Sequence, residues 1–210
     1  MLDLFSHLEE EEHIVNQEVI VSNNILDVNG LKYIPNFISL EEERELIKAI
    51  NSENWLSDIK RRVQHYGYKY DYKARTINYS MHLGKLPTWS MKFANRLVNK
   101  DFIELEPDQI IVNEYEPGQG ISNHVDCEPC FGDTIITVSL NSYCIMDFIN
   151  LKTKQKVEVL LEPRSLVVIN GESRYLWSHG IPARKTDIHN NQKINRNLRI
   201  SLTFRNVILR

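Results

Sequence analysis

Arg199-Ile-Ser-Leu-Thr-Phe-Arg205 alternates apolar and polar residues without a break. Successive side chains of an extended strand point to opposite sides, so Ile200, Leu202 and Phe204 share one face. Arg199, Ser201, Thr203 and Arg205 take the other. Two arginines on the polar side of a strand with an apolar back are costly to bury unless an anion meets them. A dicarboxylate fits, because planar guanidinium forks bind carboxylates bidentately. From the heptapeptide alone, two solvated arginines near a C-terminus is the plainer reading.

The same period of two runs upstream to residue 108. It predicts strands at 109–115, 134–140, 144–148, 156–160, 165–169, 174–179 and 198–204. Regular short strands with turn residues between them predict an all-β sandwich or barrel. Asn170-Gly171 reads as a type I′-like turn into the strand at 174–179, where Ser173, Tyr175, Trp177 and His179 would share a face. The polar stretch 183–197 interrupts the rhythm and reads as a long loop.

Before residue 108 the pattern is helical. Ser39-Leu-Glu-Glu42 is a capping box, and Leu46, Ile47 and Ile50 give the helix that follows an apolar stripe ending near Asn51. A second helix is expected from Pro87-Thr88 to about Asn99, burying Trp89, Phe93 and Leu97. Residues 1–25 are acidic and weakly patterned, a loosely attached arm, and 26–210 are expected to make one domain.

Composition narrows the function classes. With 42% hydrophobic and 25% charged residues the chain has the make-up of an ordinary globular protein. A net charge of −3 excludes a protein that coats nucleic acid by bulk charge, so any such contact needs a local basic patch. No apolar run approaches the ~20 residues of a membrane span. The N-terminus carries Glu9 to Glu12 in place of a basic leader, so a cytoplasmic or nuclear protein is expected. Cys127, Cys130 and Cys144 suit a reducing compartment. Cys127-x-x-Cys130 lacks two further zinc ligands and reads as a loop with incidental thiols, with metal or redox use as the alternative. Its place after Asp126 exposes it to oxidants formed at a metal centre.

The chemistry-bearing residues are His124-Val-Asp126 and the distant His179. Two imidazoles and one carboxylate can occupy one face of an octahedral ferrous ion and leave other positions open. In an extended segment His124 and Asp126 project to one side. Upstream, Asn113 and Tyr115 share a face and offer an amide and a phenol.

Together, Asn113-Glu-Tyr-Glu-Pro-Gly118, His124-Val-Asp126, Gly171-Glu-Ser-Arg174, His179-Gly-Ile181 and the Arg199–Arg205 heptapeptide resemble, in this order, the AlkB family of Fe(II)- and 2-oxoglutarate-dependent dioxygenases. Leu105-Glu-Pro-Asp-Gln-Ile110, Ile145-Met-Asp-Phe148, Pro163-Arg-Ser-Leu166 and Arg61-Arg-Val-Gln-His-Tyr-Gly-Tyr68 are similar to the branch that hydroxylates modified wobble uridines in transfer RNA. The resemblance implies an α+β, mainly β fold: a double-stranded β-helix, or jelly roll, with N-terminal helices packed on one sheet and a nucleotide-recognition lid. It implies Fe(II), 2-oxoglutarate and O2 as cofactor and co-substrates, with release of succinate and CO2. His124, Asp126 and His179 match the iron ligands. Arg199, helped by Tyr115, matches the anchor of the distal carboxylate of 2-oxoglutarate. Arg205 and Asn113 match residues near its metal-proximal carboxylate, and Ser201 stands at a position that varies in the family.

For the substrate, Arg61, Arg62, Tyr66 and Tyr68 fall where the family places its lid, and flat side chains with cations suit a splayed base. Tyr66, Tyr68, Tyr70 and Tyr72 would share a face by alternation. Glu128 stands where some members contact the base. Arg184, Lys185, Lys193 and Arg196 offer phosphate contacts or a solvated loop. A tRNA hydroxylase for a carboxymethyl-type uridine is therefore expected. The alternatives are an oxidative demethylase of N-alkylated bases in DNA or RNA, a protein side-chain oxidase and a non-catalytic jelly-roll binding module. In animals the resembling branch joins this domain to an RNA-recognition domain and a methyltransferase. Here a separate methyltransferase or RNA-binding partner is expected, with the chain a monomer and no membrane attachment.

Overall fold

Ser39 starts helix α1 (Leu40–Asn51): its Oγ accepts from the Glu42 amide at 3.1 Å, while Glu42 accepts from the Ser39 amide at 3.0 Å. This reciprocal cap satisfies two amides that the first turn would otherwise leave open. Leu46 and Ile50 are buried one turn apart. Helix α2 (Thr88–Asn99) follows Pro87 and buries Phe93 and Leu97. The computed structural model describes residues 28–57 and 59–209, and the expected acidic arm at 1–25 lies outside them.

Both helices lie on one side of a six-stranded sheet of β1 (Leu31–Ile34), β8 (Leu166–Ile169), β5 (Ile135–Leu140), β12 (Arg199–Arg205), β3 (Gln109–Tyr115) and β2 (Val63–Tyr66), paired antiparallel in that order. A four-stranded antiparallel sheet of β4 (Ile121–His124), β9 (Trp177–Ile181), β6 (Cys144–Asn150) and β7 (Lys156–Leu161) packs on its other side. The result is the double-stranded β-helix with helices added to one sheet.

Two cores follow from alternation. Ile200, Leu202 and Phe204 meet Leu46, Ile50, Phe93 and Leu97 beneath the helices. Burying each such side chain stabilises the fold by roughly 1.5–3 kcal/mol. Between the sheets, Phe148, Val159, Val167 and Trp177 form the second core. It is incomplete at one end, where polar residues replace apolar ones.

Three local expectations fail. The segment after Asn170 is a short helix, α3 (Gly171–Tyr175), and β9 begins only at Trp177. Ser173 Oγ donates to the Asn170 carbonyl and accepts from its amide, and the Ser173 and Asn170 amides reach Asn29 and Gly30. The chain before β1 thus holds the turn as a helical cap, and Ser173 and Tyr175 do not share a strand face with His179. The expected loop at 183–197 contains a hairpin, β10 (Thr186–His189) and β11 (Gln192–Asn195). Asn190 and Asn191 turn it at φ 49° and 62°, the I′ geometry asparagine tolerates. Finally, the tyrosine alternation breaks at Gly67, whose φ of +75° ends β2. A Cβ there would stand 1.8 Å from the Asp108 carbonyl oxygen.

Candidate active site

At the open end between the sheets lies a cavity of about 630 Å³. His124 ends β4 directly opposite His179 on β9, and the irregular segment that follows carries Asp126. Their ring centroids are 4.5 Å apart, and His179 Nε2 is 3.4 Å from an Asp126 carboxylate oxygen. One donor atom from each of the three residues falls within 4.8 Å of the others, the one such cluster of metal-ligating side chains among the described residues. Gly180 lets β4 approach, since a Cβ there would lie 2.2 Å from Asn123 Oδ1.

The donor chemistry suits a divalent metal. His124 Nδ1 lies 2.9 Å from the Ser122 carbonyl oxygen, which fixes the ring and leaves Nε2 free. Burial would raise the Asp126 carboxyl, but Arg205 and the two imidazoles outweigh it and hold it at about 2. Burial pulls His179 down to about 4, against the attraction of Asp126. Near neutral pH the carboxylate is ionised and His179 neutral, the forms that ligate.

Beside the triad, the polar face of β12 lines the cavity with Arg199, Ser201, Thr203 and Arg205. Arg199 is 3% exposed, yet only its Nη2 has a hydrogen bond, to Ser139 Oγ at 2.7 Å. Its Nε and Nη1 have no protein partner. Leaving buried charged donors open costs more than leaving neutral ones, so this guanidinium is shaped for an anion. Tyr115, paired with Arg199 across the sheet, lies under it with 5.5 Å from ring centroid to guanidinium carbon. Arg205 is more fully engaged: Nη2 meets Asp126 at 3.1 Å and Nη1 meets Gln109 at 3.3 Å, while its buried Nε has no protein partner. Asn113 is engaged too, accepting from Arg61 Nε at 2.8 Å.

Alternation on β2 and the residues before it separates the expected substrate contacts. Arg61 lies in the cavity wall against Tyr115. Arg62 points to the helix side, pairing bidentately with Glu114 at 2.7 Å and covering Trp55. Tyr66 is also on that side, edge-on to Trp89, and Tyr68 packs on His82. Tyr70 and Tyr72, past the Gly67 break, line the cavity instead, and the Tyr72 hydroxyl has no protein partner. Glu128 is exposed and outside the cavity wall. In the hairpin, Arg184 and Arg196 both bind the buried Asp187, so neither is a free phosphate contact. Lys185 and Lys193 stay exposed.

Two features had weak sequence signals. Arg174, expected in a strand, is buried and donates to the carbonyls of Asp126, Cys127, Phe131 and Gly132, fixing the loop that carries Asp126. Cys127 and Cys130 are bonded to each other, which incidental thiols would not require.

Comparison with known proteins agrees with this arrangement. Residues 30–205 match the 2OG-Fe(II) oxygenase superfamily. Uncharacterized protein L905 of Acanthamoeba polyphaga mimivirus is 39% identical, the match covering 87% of each chain. The tRNA (carboxymethyluridine(34)-5-O)-methyltransferase ALKBH8 of Mus musculus is 40% identical over 75% of this chain, which spans only 25% of that protein. In fold, the solved structure of OsALKBH1 superposes with a TM-score of 0.65 at 16% identity, covering 84% of this chain and 96% of that one.

Proposed function

The chain belongs to the 2OG-Fe(II) oxygenase superfamily, in its AlkB family, and from that premise we propose that it hydroxylates a carboxymethyl-type modified wobble uridine of tRNA. It is a 2-oxoglutarate-dependent dioxygenase, using Fe(II), 2-oxoglutarate and O2. In the proposal His124, Asp126 and His179 hold the metal and Arg199 holds the co-substrate. The observation that carries the site is the Arg199 guanidinium, buried in the wall of the cavity that also holds the triad, with its Nε and Nη1 unpartnered. When bound, the iron supplies the oxidising chemistry that couples conversion of 2-oxoglutarate into succinate and CO2 to hydroxylation of a C–H bond.

The protein's own part is placement. Arg199, oriented by the Ser139 hydroxyl, fixes one end of a diacid, and Tyr115 walls it. Arg205 keeps Asp126 ionised and oriented, so it supports the triad. Arg61, tied to Asn113, and the rings of Tyr70 and Tyr72 form the wall that a splayed base would enter. Lys60 and Arg75 add positive charge to that wall. Positioning a reacting carbon against a bound oxidant can account for much of a rate enhancement.

The substrate reading is supported by the similarity to the mouse tRNA methyltransferase and by this basic, aromatic wall. Nucleoside mass spectrometry of tRNA incubated with the enzyme, with and without 2-oxoglutarate, tests it. A modified uridine gaining one oxygen only with co-substrate is the expected result. Formaldehyde release from N-methylated oligonucleotides, with unchanged uridines, would replace this reading with base demethylation.

A further inference from the structure

We infer that Cys127 and Cys130 form a thiol–disulfide exchange site that sets how firmly the strap 71–76 is held over the cavity. The two sulfurs are joined, and both face one acceptor. The Arg75 carbonyl oxygen is 3.3 Å from Cys127 Sγ and 3.4 Å from Cys130 Sγ. A thiol carries a hydrogen and donates weakly; a disulfide has none to give. The dithiol therefore offers the strap two donors and the disulfide offers neither.

The strap is built to respond as a unit. The amides and carbonyls of Asp71 and Thr76 pair at 3.2 and 3.4 Å, and the Asp71 carboxylate accepts from the Lys73 and Ala74 amides, both at 2.8 Å. Arg75 sits at φ 52°, a left-handed conformation that is unfavourable for a non-glycine residue and persists only where its surroundings hold it. With the sulfurs joined, its hydrogen bond to the opposite wall is the single one of 3.4 Å from Nη2 to the Val125 carbonyl. The cysteine side of the contact is rigid, because the buried Arg174 grips the carbonyls of Asp126, Cys127, Phe131 and Gly132. Arg75, Tyr70 and Tyr72 line the cavity, so a looser strap changes its wall.

The exchange needs a small-molecule disulfide, RSSR, as oxidant. One cysteine thiolate attacks an RSSR sulfur, breaking the S–S bond, forming a mixed disulfide and releasing RS⁻. The second thiolate attacks the protein-bound sulfur of that mixed disulfide, closes Cys127–Cys130 and releases a second RS⁻. The two protons lost by the cysteines match the two taken up by the released thiolates, and two electrons pass from protein to RSSR. Both cysteines are buried, but Cys127 lies in the wall of the open cavity, which is the path for the oxidant. The inference does not depend on which substrate the cavity takes.

The test uses the full chain without metal, equilibrated in reduced or in oxidised glutathione. Thiol titration in denaturant should count three thiols after reduction and one, Cys144, after oxidation. Trypsin cleavage at the exposed Lys73 and Arg75 should be about five- to tenfold faster in the oxidised protein, the loss expected for about one hydrogen bond. Cys127→Ser with Cys130→Ser keeps two donors and cannot oxidise, so it should cleave slowly in both buffers. Cys127→Ala with Cys130→Ala should cleave fast in both. Equal wild-type rates at one and at three thiols would overturn the inference. So would a serine variant that cleaves as fast as the alanine variant, or a count that stays at three in oxidised glutathione.

Discussion

The two faces of the six-stranded sheet use the same strands for opposite ends. Toward the helices, Ile200, Leu202 and Phe204 of β12 are buried among apolar side chains. Toward the four-stranded sheet, Arg199, Ser201, Thr203 and Arg205 are also buried, yet they line a cavity and Arg199 has unpartnered donors. Burial on the first face stabilises the fold. On the second it maintains charged groups in a low-dielectric setting where an anion or metal binds strongly. A strand that alternates strictly can therefore separate stability from chemistry residue by residue.

The largest expected effect is on the cavity face. His124→Ala should lower coupled turnover by at least about a thousandfold, since it removes one of three metal ligands. His124 lies at the half-buried rim, so the thermal melt should stay near wild type. Turnover surviving this change would break the comparison. Phe204→Ala attacks the other face. Unfolding in urea should show a loss of about 3–5 kcal/mol from the cavity left behind, while the folded fraction keeps its affinity for 2-oxoglutarate. A matching loss of affinity would show that the faces are coupled.

Arg199→Ala should weaken 2-oxoglutarate binding by about 2–4 kcal/mol in calorimetry, because a carboxylate loses its charged partner. Its effect on urea stability should be much smaller than that of Phe204→Ala. The smallest expected effect sharpens the comparison at neighbouring residues. Arg61→Ala should cut turnover of RNA by about tenfold, the worth of one charged contact, and spare uncoupled succinate formation. Arg62→Ala should leave both unchanged and cost only about 1 kcal/mol of stability, as for a half-exposed ion pair.

Much of this was legible in the sequence where periodicity and spacing speak directly. The capping box at Ser39 and the alternation of β12 stand in the structure as read, and His124, Asp126 and His179 come together, although Asp126 lies past the end of β4 and not in a strand with His124. What was not legible depended on contacts between distant segments. Asn170-Gly171 carries a hairpin signal, yet Asn29 and Gly30 capture it into α3. The hairpin of β10 and β11 shows no apolar alternation, because Asp187, Arg184 and Arg196 replace an apolar anchor. Tyr66 and Tyr68 looked equivalent to Tyr70 and Tyr72 until Gly67 broke the register. Likewise Arg61 and Arg62 are adjacent in sequence and opposed across the sheet.

Titration of the wild-type chain and of the His124→Ala variant with Mn(II), followed by 2-oxoglutarate, tests whether His124, Asp126 and His179 share one ion beside Arg199. One metal per wild-type chain and metal-dependent binding of one 2-oxoglutarate are expected, with both lost or greatly weakened in the variant. Equal metal affinity in the two proteins would contradict the assignment of His124, Asp126 and His179 to a single ion.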